Sequence, residues 1–162
     1  MNIFVLSCRD PWATLIMNGK KTGETRLQSF MTQCRPGQTI AIHLAYNNPE
    51  EKEATQMLIS SGVEEEYCTK PQAMIDFRDP GSGVMGCAGC IIGLVDVVET
   101  LHFTNPSAEE VIAWQAKALC DVTGRWVTRL ANPRWLRRPI PMRGAPALWS
   151  CTLPLDCLPP PS

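Results

Sequence analysis

The chain has 162 residues, of which 44% are hydrophobic and 19% charged, so it is long and apolar enough to bury the core of one domain. This composition excludes a disordered or fibrous protein, and no apolar run approaches the roughly 18 residues of a membrane span. The net charge of −1 gives no global sign of nucleic-acid binding. We expect a soluble, cytoplasmic protein, because the N-terminal apolar run is too short for a signal peptide.

The N-terminal sequence predicts a buried strand followed by a short helix. Residues 3–6 form a continuous apolar run, which suits a buried strand. Asp10 is a candidate N-cap for a helix over residues 10–18. Pro11 fits the first helical position, and Gly19 fits the position just after the helix. Apolar residues at the spacing i, i+3, i+4 predict the buried face of this helix, which comprises Trp12, Leu15 and Ile16.

The rest of the chain alternates between extended and helical patterns. Strands are predicted over residues 22–27, 39–45, 90–101, 125–130 and 147–153. Helices are predicted to begin near residue 48 and at Ser107, which forms a capping box with Glu110. Four prolines between residues 131 and 146 predict irregular structure there. We therefore expect one α+β domain over residues 1–153, built around a small β-barrel, and a disordered Pro-rich tail over residues 154–162.

Charge is segregated along the chain although its total is close to zero. Residues 50–66 contain six Glu and one Lys, and residues 124–144 contain six Arg and no acid. The acidic segment suits a solvated helix face or, alternatively, an adaptor surface for another protein. The Arg-rich segment suggests nucleic acid, with Arg134 as a phosphate contact and Trp135 as a platform for a base. Burial in the core is the alternative for this tryptophan.

Eight cysteines raise the question of disulfides or a metal site. We expect mostly free thiols, because the chain has no export signal. Cys87 and Cys90 form a lone CxxC pair without the second pair that a structural zinc site needs. Neither a metal nor another cofactor is therefore predicted.

Two segments near the N terminus resemble the ASCH domain, a family with the PUA-like barrel fold. The family signature G-x-K-x-x-E-x-R is matched by Gly19, Lys21, Glu24 and Arg26. A Leu-Ser-x-Arg-x-Pro-Trp-Ala run, residues 6–13, precedes it. The resemblance continues in order along nearly the whole chain. Its later pieces, at residues 132–136 and 139–141, are also similar to the endothelial-overexpressed lipopolysaccharide-associated factors.

The resemblance implies a PUA-like (ASCH) α+β fold with short flanking helices and binding of RNA or a modified nucleotide in a basic cleft at the barrel mouth. Some small family members are amidohydrolases that deacylate N4-acetylcytidine, and a ribonuclease activity also occurs in the family. The alternative function is therefore a metal-independent amidohydrolase or nuclease with Lys21 and Glu24 as catalytic residues. Many relatives have Lys where this chain has Tyr46, and Trp where it has Leu27.

The residue types at the signature support a ligand site on chemical grounds. Glu24 and Arg26 would share one face of a strand, where the carboxylate can accept from the amine of a base. A buried Lys21 could act as base or nucleophile. His43 shares its strand face with small alanines, which leave room for a ligand. An exposed ion network and a core histidine are the alternatives. The predicted ligand-binding set is Arg9, Lys21, Glu24, Arg26, His43, Arg134 and Trp135.

Overall fold

The computed structural model describes residues 1–46 and 48–160, which form one sheet with short helices around it. The strands are β1 (Asn2–Cys8), β2 (Gly23–Arg26), β3 (Thr39–Leu44), β4 (Cys90–His102), β5 (Trp126–Pro141) and β6 (Leu148–Thr152). The helices are α1 (Trp12–Met17), α2 (Glu51–Ser60), α3 (Gln72–Ile75) and α4 (Ala108–Ala118). Single 3-10 turns occur at Phe30–Gln33, Glu65–Cys68 and Leu155–Cys157. The predicted α+β class is confirmed.

The sheet is mixed and strongly curved. Its strand order is β2-β5-β4-β3-β1-β6, with β1 and β3 parallel and the other neighbours antiparallel. Register shifts interrupt the pairing of β4 with β5, and such bulges increase the local twist. The guanidinium of Arg26 on β2 donates to the carbonyl of Ser7 on β1 at 3.0 Å, although four steps of the strand order separate these strands. The sheet thus curls in the manner of a barrel.

The core lies inside this curl, and α1 packs against it. The central strands contribute apolar side chains with almost no exposed surface, among them Val5, Leu6, Ile40, Ile42 and Ile91. Leu15 and Ile16 of α1 are buried, as the helical spacing predicts. Trp12, predicted to be buried with them, is only half-buried. Its ring borders a cleft beside the helix.

The Pro-rich segment after residue 130 is a strand, so the predicted irregular structure is wrong for residues 131–141. β2 pairs only with residues 126–129 of β5, which leaves the rest of that edge without a partner in this sheet. A proline there needs no ladder hydrogen bond from its missing N–H. Pro133 lies in a bulge beside Asn132, which has a φ of 50°. The prolines thus occupy positions in a long bent strand where the missing N–H destabilises the sheet little.

The described part of the tail contains a 3-10 turn and packs against the core, and the disorder of residues 154–162 stays a prediction. A 3-10 turn places Cys157 in the interior, where 2% of its surface is exposed. Arg138 of β5 donates to the carboxylate of Asp156 at 2.6 Å. Apolar anchors between the prolines therefore hold the tail against the sheet. Residues 161 and 162 lie outside the described part of the chain.

The structure also bears on the expected free thiols and on a membrane span. All eight cysteines are free, as the sequence predicts. None of the helices described has both the length and the apolar character needed to cross a membrane. Cys87 and Cys90 are buried in the turn that leads into β4. Within the described residues, no three metal-binding side chains come together.

Candidate functional site

The three charged signature residues line one cleft of about 600 Å³, which we call the motif cleft. It lies where the ends of β1 and β3 meet α1, β2 and the connection from α4 to β5. Its walls are formed by Ser7, Cys8, Arg9, Trp12, Lys21, Glu24, Thr25, Arg26, Ala45, Cys120, Asp121 and Arg125. The predicted grouping of Arg9, Lys21, Glu24 and Arg26 is thus present in the structure.

The end of α1 turns Lys21 into the protein. Gly19 has a φ of 77°, and the amides of Lys20 and Lys21 both donate to the carbonyl of Leu15 at 3.0 Å. A left-handed residue of this kind ends many helices, and glycine adopts it without strain. The reversal leaves the Lys21 side chain 3% exposed. Lys21 therefore enters the cleft from the interior of the protein and not from the solvent.

Three acceptors surround the amine of Lys21. Its Nζ donates to the carbonyl of Gly23 at 2.8 Å and to the carbonyl of Ala118 at the end of α4. A carboxylate oxygen of Glu24 lies 3.6 Å away. An ammonium has three protons and can serve all three acceptors, whereas a neutral amine has two. This arrangement favours Lys21 as a buried cation that ties α4 to β2.

Glu24 and Arg26 project from the same face of β2, as the predicted strand alternation requires. Arg26 Nε donates to one oxygen of Glu24 at 2.9 Å, and the other oxygen faces Lys21. The guanidinium also lies 5.7 Å from the centre of the Phe30 ring. Since the Glu24 side chain is only 9% exposed, the alternative of a solvated surface network is wrong. Glu24 is a nearly buried carboxylate between two cations.

Cys8 completes the inner wall beside Arg26. Burial raises the pKa of its thiol to about 12, and the charge of Glu24 adds to this effect. The positive charges of Arg26 and Lys21 lower this pKa, but by less than burial raises it. The thiol therefore stays protonated near neutral pH, which makes it a poor nucleophile.

His43 lies in an adjoining cavity of about 650 Å³, which we call the histidine pocket. The two cavities share Ser7 and Ala45, so His43 is a neighbour of the motif cleft and does not line it. The walls of the histidine pocket are Ser7, His43, Ala45, Tyr46, Asp79, Gly89, Pro141, Met142, Arg143, Gly144, Ala145 and Pro146. His43 and the signature residues of the predicted ligand-binding set are therefore divided between two cavities with a common wall.

A chain of hydrogen bonds fixes His43 and Ser7. Nε2 of His43 lies 2.8 Å from the carbonyl of Met142, so this nitrogen carries the proton. Its Nδ1 lies 3.1 Å from Ser7 Oγ, which also accepts from the indole N–H of Trp149 at 3.2 Å. The neutral ring thus accepts the hydroxyl proton of Ser7. Burial lowers the pKa of His43, against the opposing effect of backbone hydrogen bonds.

Arg134 and Trp135 lie away from both cavities. The guanidinium of Arg134 donates to both carboxylate oxygens of Asp96, at 2.8 and 3.2 Å. These hydrogen bonds lower the pKa of Asp96 to about 2, so the pair stays charged. Trp135 packs against the core, and its indole N–H donates to Asn18 at 3.3 Å. The structure does not bring these two predicted residues to the motif cleft.

The far wall of the motif cleft contains four residues that the sequence analysis did not assign to a site, namely Thr25, Cys120, Asp121 and Arg125. Three of them follow α4, about a hundred residues after the signature in the chain. They reach it because α4 packs on β2, with the amide of Thr22 donating to the carbonyl of Lys117 at 2.9 Å. In the sequence, only the Arg-rich composition near residue 125 indicated that a residue of this wall could belong to the site.

Comparison with known proteins identifies the fold. No family model matches the chain. The crystal structure of ASCH from Zymomonas mobilis is similar with a TM-score of 0.52 and 14% sequence identity, over 92% of this chain and 87% of that chain. A serine-to-alanine mutant of the Zymomonas mobilis protein has a TM-score of 0.49 and 15% identity, over 94% and 89% of the two chains. The first likeness confirms the predicted PUA-like fold of ASCH proteins.

Proposed function

We propose that the chain binds RNA, or a modified or unmodified nucleotide, through the motif cleft. The observation that carries this proposal is the pair formed by the nearly buried carboxylate of Glu24 and the half-buried guanidinium of Arg26 at the inner wall of an open cleft. A carboxylate beside a guanidinium offers an acceptor next to a donor. This pattern complements a base edge with an exocyclic amine next to a carbonyl, as in cytosine.

The charge of the cleft also supports the proposal. Four cations and two acids line it, although the whole chain has a net charge of −1. Arg9 is exposed and Arg125 is half-buried, and neither forms an ion pair within residues 1–46 and 48–160. These two guanidinium groups are available to phosphate oxygens, for which arginine is well shaped. The site would thus hold a base at its inner end and phosphate at its rim.

Binding can be tested by fluorescence anisotropy with a short labelled single-stranded RNA of mixed sequence. We expect Glu24→Gln and Arg9→Gln to weaken binding, because the first replaces a charged acceptor oxygen with an amide donor and the second removes a phosphate contact. Arg137→Gln is the matched control, since Arg137 is exposed on β5 and lines neither cavity. Equal affinity of all three variants and the unmodified protein would contradict the proposal.

A metal-independent hydrolase is the second candidate, and one observation favours it. A buried amine lies 3.6 Å from a carboxylate at the position where the resemblance implies a catalytic lysine. The three acceptors around Lys21 favour its charged form, however, and a charged amine is no base. We therefore expect binding of N4-acetylcytidine without turnover. Acetate release detected by mass spectrometry, absent in Lys21→Met and unaffected by a chelator, would instead establish the hydrolase.

A cytoplasmic location is part of the proposed function. Eight free thiols suit a reducing compartment, where disulfides are rare. Burial raises the pKa of Cys87 to about 11 and that of Cys90 to about 12, which protects both thiols from oxidation. Fractionation of cells that express the tagged chain would test the location.

A further inference from the structure

The histidine pocket adjoins the motif cleft and differs from it in charge. The two cavities share Ser7 and Ala45, so a ligand that fills one ends beside the other. The histidine pocket contains one cation, Arg143, and one acid, Asp79. Asp79 is already used in its own turn, where it accepts from Ser82 Oγ at 2.6 Å and from the Gly81 amide at 2.9 Å. The histidine pocket therefore has no excess charge, in contrast to the motif cleft.

The floor of this pocket is neutral and fixed. Both ring nitrogens of His43 are hydrogen-bonded, and 2% of the residue is exposed. Gly144 lies so close that a side-chain carbon there would come within 2.6 Å of His43 Cε1. The hydroxyl of Ser7 donates to the ring and accepts from the Trp149 indole, which leaves one lone pair of its oxygen as an acceptor toward the ligand. Such a floor suits an uncharged, partly polar group.

An exposed aromatic ring forms one wall. Tyr46 is 54% exposed, although it packs directly against Gly89. A side-chain carbon at Gly89 would lie 2.0 Å from the Tyr46 ring, so the absence of a side chain there makes this packing possible. Exposed aromatic rings beside a nucleic-acid cleft are stacking platforms for bases, and they accept any base because each has a flat face.

We propose that the histidine pocket is the subsite for a second, neighbouring base of the same RNA strand, stacked on Tyr46. This inference rests on the proposed function of the motif cleft and adds a length requirement to it. The preferred ligand is then a single-stranded segment of at least two nucleotides, which binds more tightly than a mononucleotide. The surplus cations of the motif cleft take the phosphates, and the uncharged histidine pocket takes a base. Arg143 at the rim can contact the phosphate that follows.

The test compares a nucleoside 5′-monophosphate with its dinucleotide by isothermal titration. We expect the dinucleotide to bind about 10-fold more tightly, since stacking on one aromatic side chain has an effect of this order. Tyr46→Ala should remove this gain and leave the affinity for the mononucleotide unchanged. Tyr46→Phe should keep the gain, because the ring and not the hydroxyl group provides the stacking surface. Met57→Ala, another exposed apolar side chain, is the control for nonspecific effects.

An abasic second position separates stacking from phosphate binding. We expect the dinucleotide without its second base to bind like the mononucleotide. Equal affinity for mononucleotide and dinucleotide would overturn the inference, as would a gain that survives Tyr46→Ala or the abasic substitution. Each of these results would leave the proposed function intact, provided that Glu24→Gln weakens binding of the mononucleotide. No binding of either ligand would overturn the proposed function and this inference with it.

Discussion

The motif cleft and strand β5 both contain several arginines, and most of these arginines differ in their surroundings. On β5, Arg129 lies 3.1 Å from Glu99, Arg134 lies 2.8 Å from Asp96, and Arg138 pairs with Asp156. In the motif cleft, neither Arg9 nor Arg125 forms an ion pair in the described part of the chain, although the charge of Arg125 helps to lower the pKa of Asp121 in the same wall. Three of the four arginines of β5 are therefore paired with acids, whereas the two unpaired arginines of the cleft lie outside this strand.

The reason for this difference is the register of the sheet. β4 pairs with β5 so that Glu99 faces Arg129 directly across the ladder, and opposite charges at such positions attract. Asp96 reaches Arg134 through a bulge in the same ladder. In the cleft, by contrast, Glu24 is shared by Lys21 and Arg26. The fold thus decides which charges of a segment lie beside an opposite charge, and composition does not reveal this.

The largest expected difference between the two regions is in stability. Glu24→Ala leaves Lys21 and Arg26 facing each other without an acid, and removal of one partner of a buried pair costs about 3–5 kcal/mol. Glu99→Ala on β4 breaks a pair whose side chains are 39% and 43% exposed, so the expected cost is below about 1 kcal/mol. Urea unfolding of both variants measures this contrast. Equal losses would show that the carboxylate of Glu24 is solvated in solution.

Two variants, one in each region, are expected to have opposite effects on stability and on RNA affinity. Arg134→Gln should lower the free energy of unfolding by about 1 kcal/mol, because it removes hydrogen bonds to the charged Asp96. It should not change RNA affinity. Arg9→Gln should do the reverse, since Arg9 is exposed and unpaired within the described residues but lines the cleft. Loss of RNA affinity in Arg134→Gln would show that strand β5 takes part in RNA binding.

The dependence of RNA binding on salt gives a smaller, quantitative contrast. Each phosphate contact to a single strand contributes a slope of about 0.7 to the log-log plot of affinity against salt concentration. We expect Arg125→Gln to make the slope shallower by about this amount, because Arg125 lines the motif cleft. Arg138→Gln should leave the slope unchanged, since Arg138 is paired with Asp156. A change of equal size in both variants would contradict the assignment.

Local sequence signals predicted most elements of the fold, whereas the resemblance to ASCH domains pointed to the charged signature residues that line the motif cleft. The spacing of Glu24 and Arg26 fixed their common face, and the apolar spacing of α1 predicted the burial of Leu15 and Ile16. These predictions succeed because strand and helix periodicity are local properties. The resemblance to ASCH domains, carried by an ordered set of motifs, then predicted the fold that the comparison confirms.

The parts that could not be predicted depend on contacts between distant segments. β5 extends through several prolines because one of its edges has no partner there, which no local rule reveals. The wall formed by Asp121 and Arg125 exists because α4 packs on β2. His43 faces a second cavity because the segment around Met142 and Gly144 covers its ring. Each of these outcomes follows from tertiary packing and not from propensity.

The smallest expected effect concerns the dependence of stability on pH through His43. Burial lowers the pKa of this histidine in the folded protein below the value of 6.5 for an unperturbed imidazole. The folded state therefore favours the neutral ring, which accepts from Ser7 and donates to Met142. As the pH falls through about 6.5, the unfolded chain gains a proton at this position before the folded protein does. The folded protein is then the state that loses relative stability.

Urea midpoints measured at pH 7.5, 6.5 and 5.5 should therefore decrease toward acid, and His43→Gln should flatten this decrease. The matched control is His102→Gln, because His102 is the other histidine of the chain and is exposed at the end of β4. That variant should keep the decrease. The pair of Asp96 and Arg134 does not contribute in this range, since the pKa of Asp96 is lowered to about 2 and its stabilisation is lost only well below pH 5. If the decrease persists unchanged in His43→Gln, titratable groups other than His43 cause it.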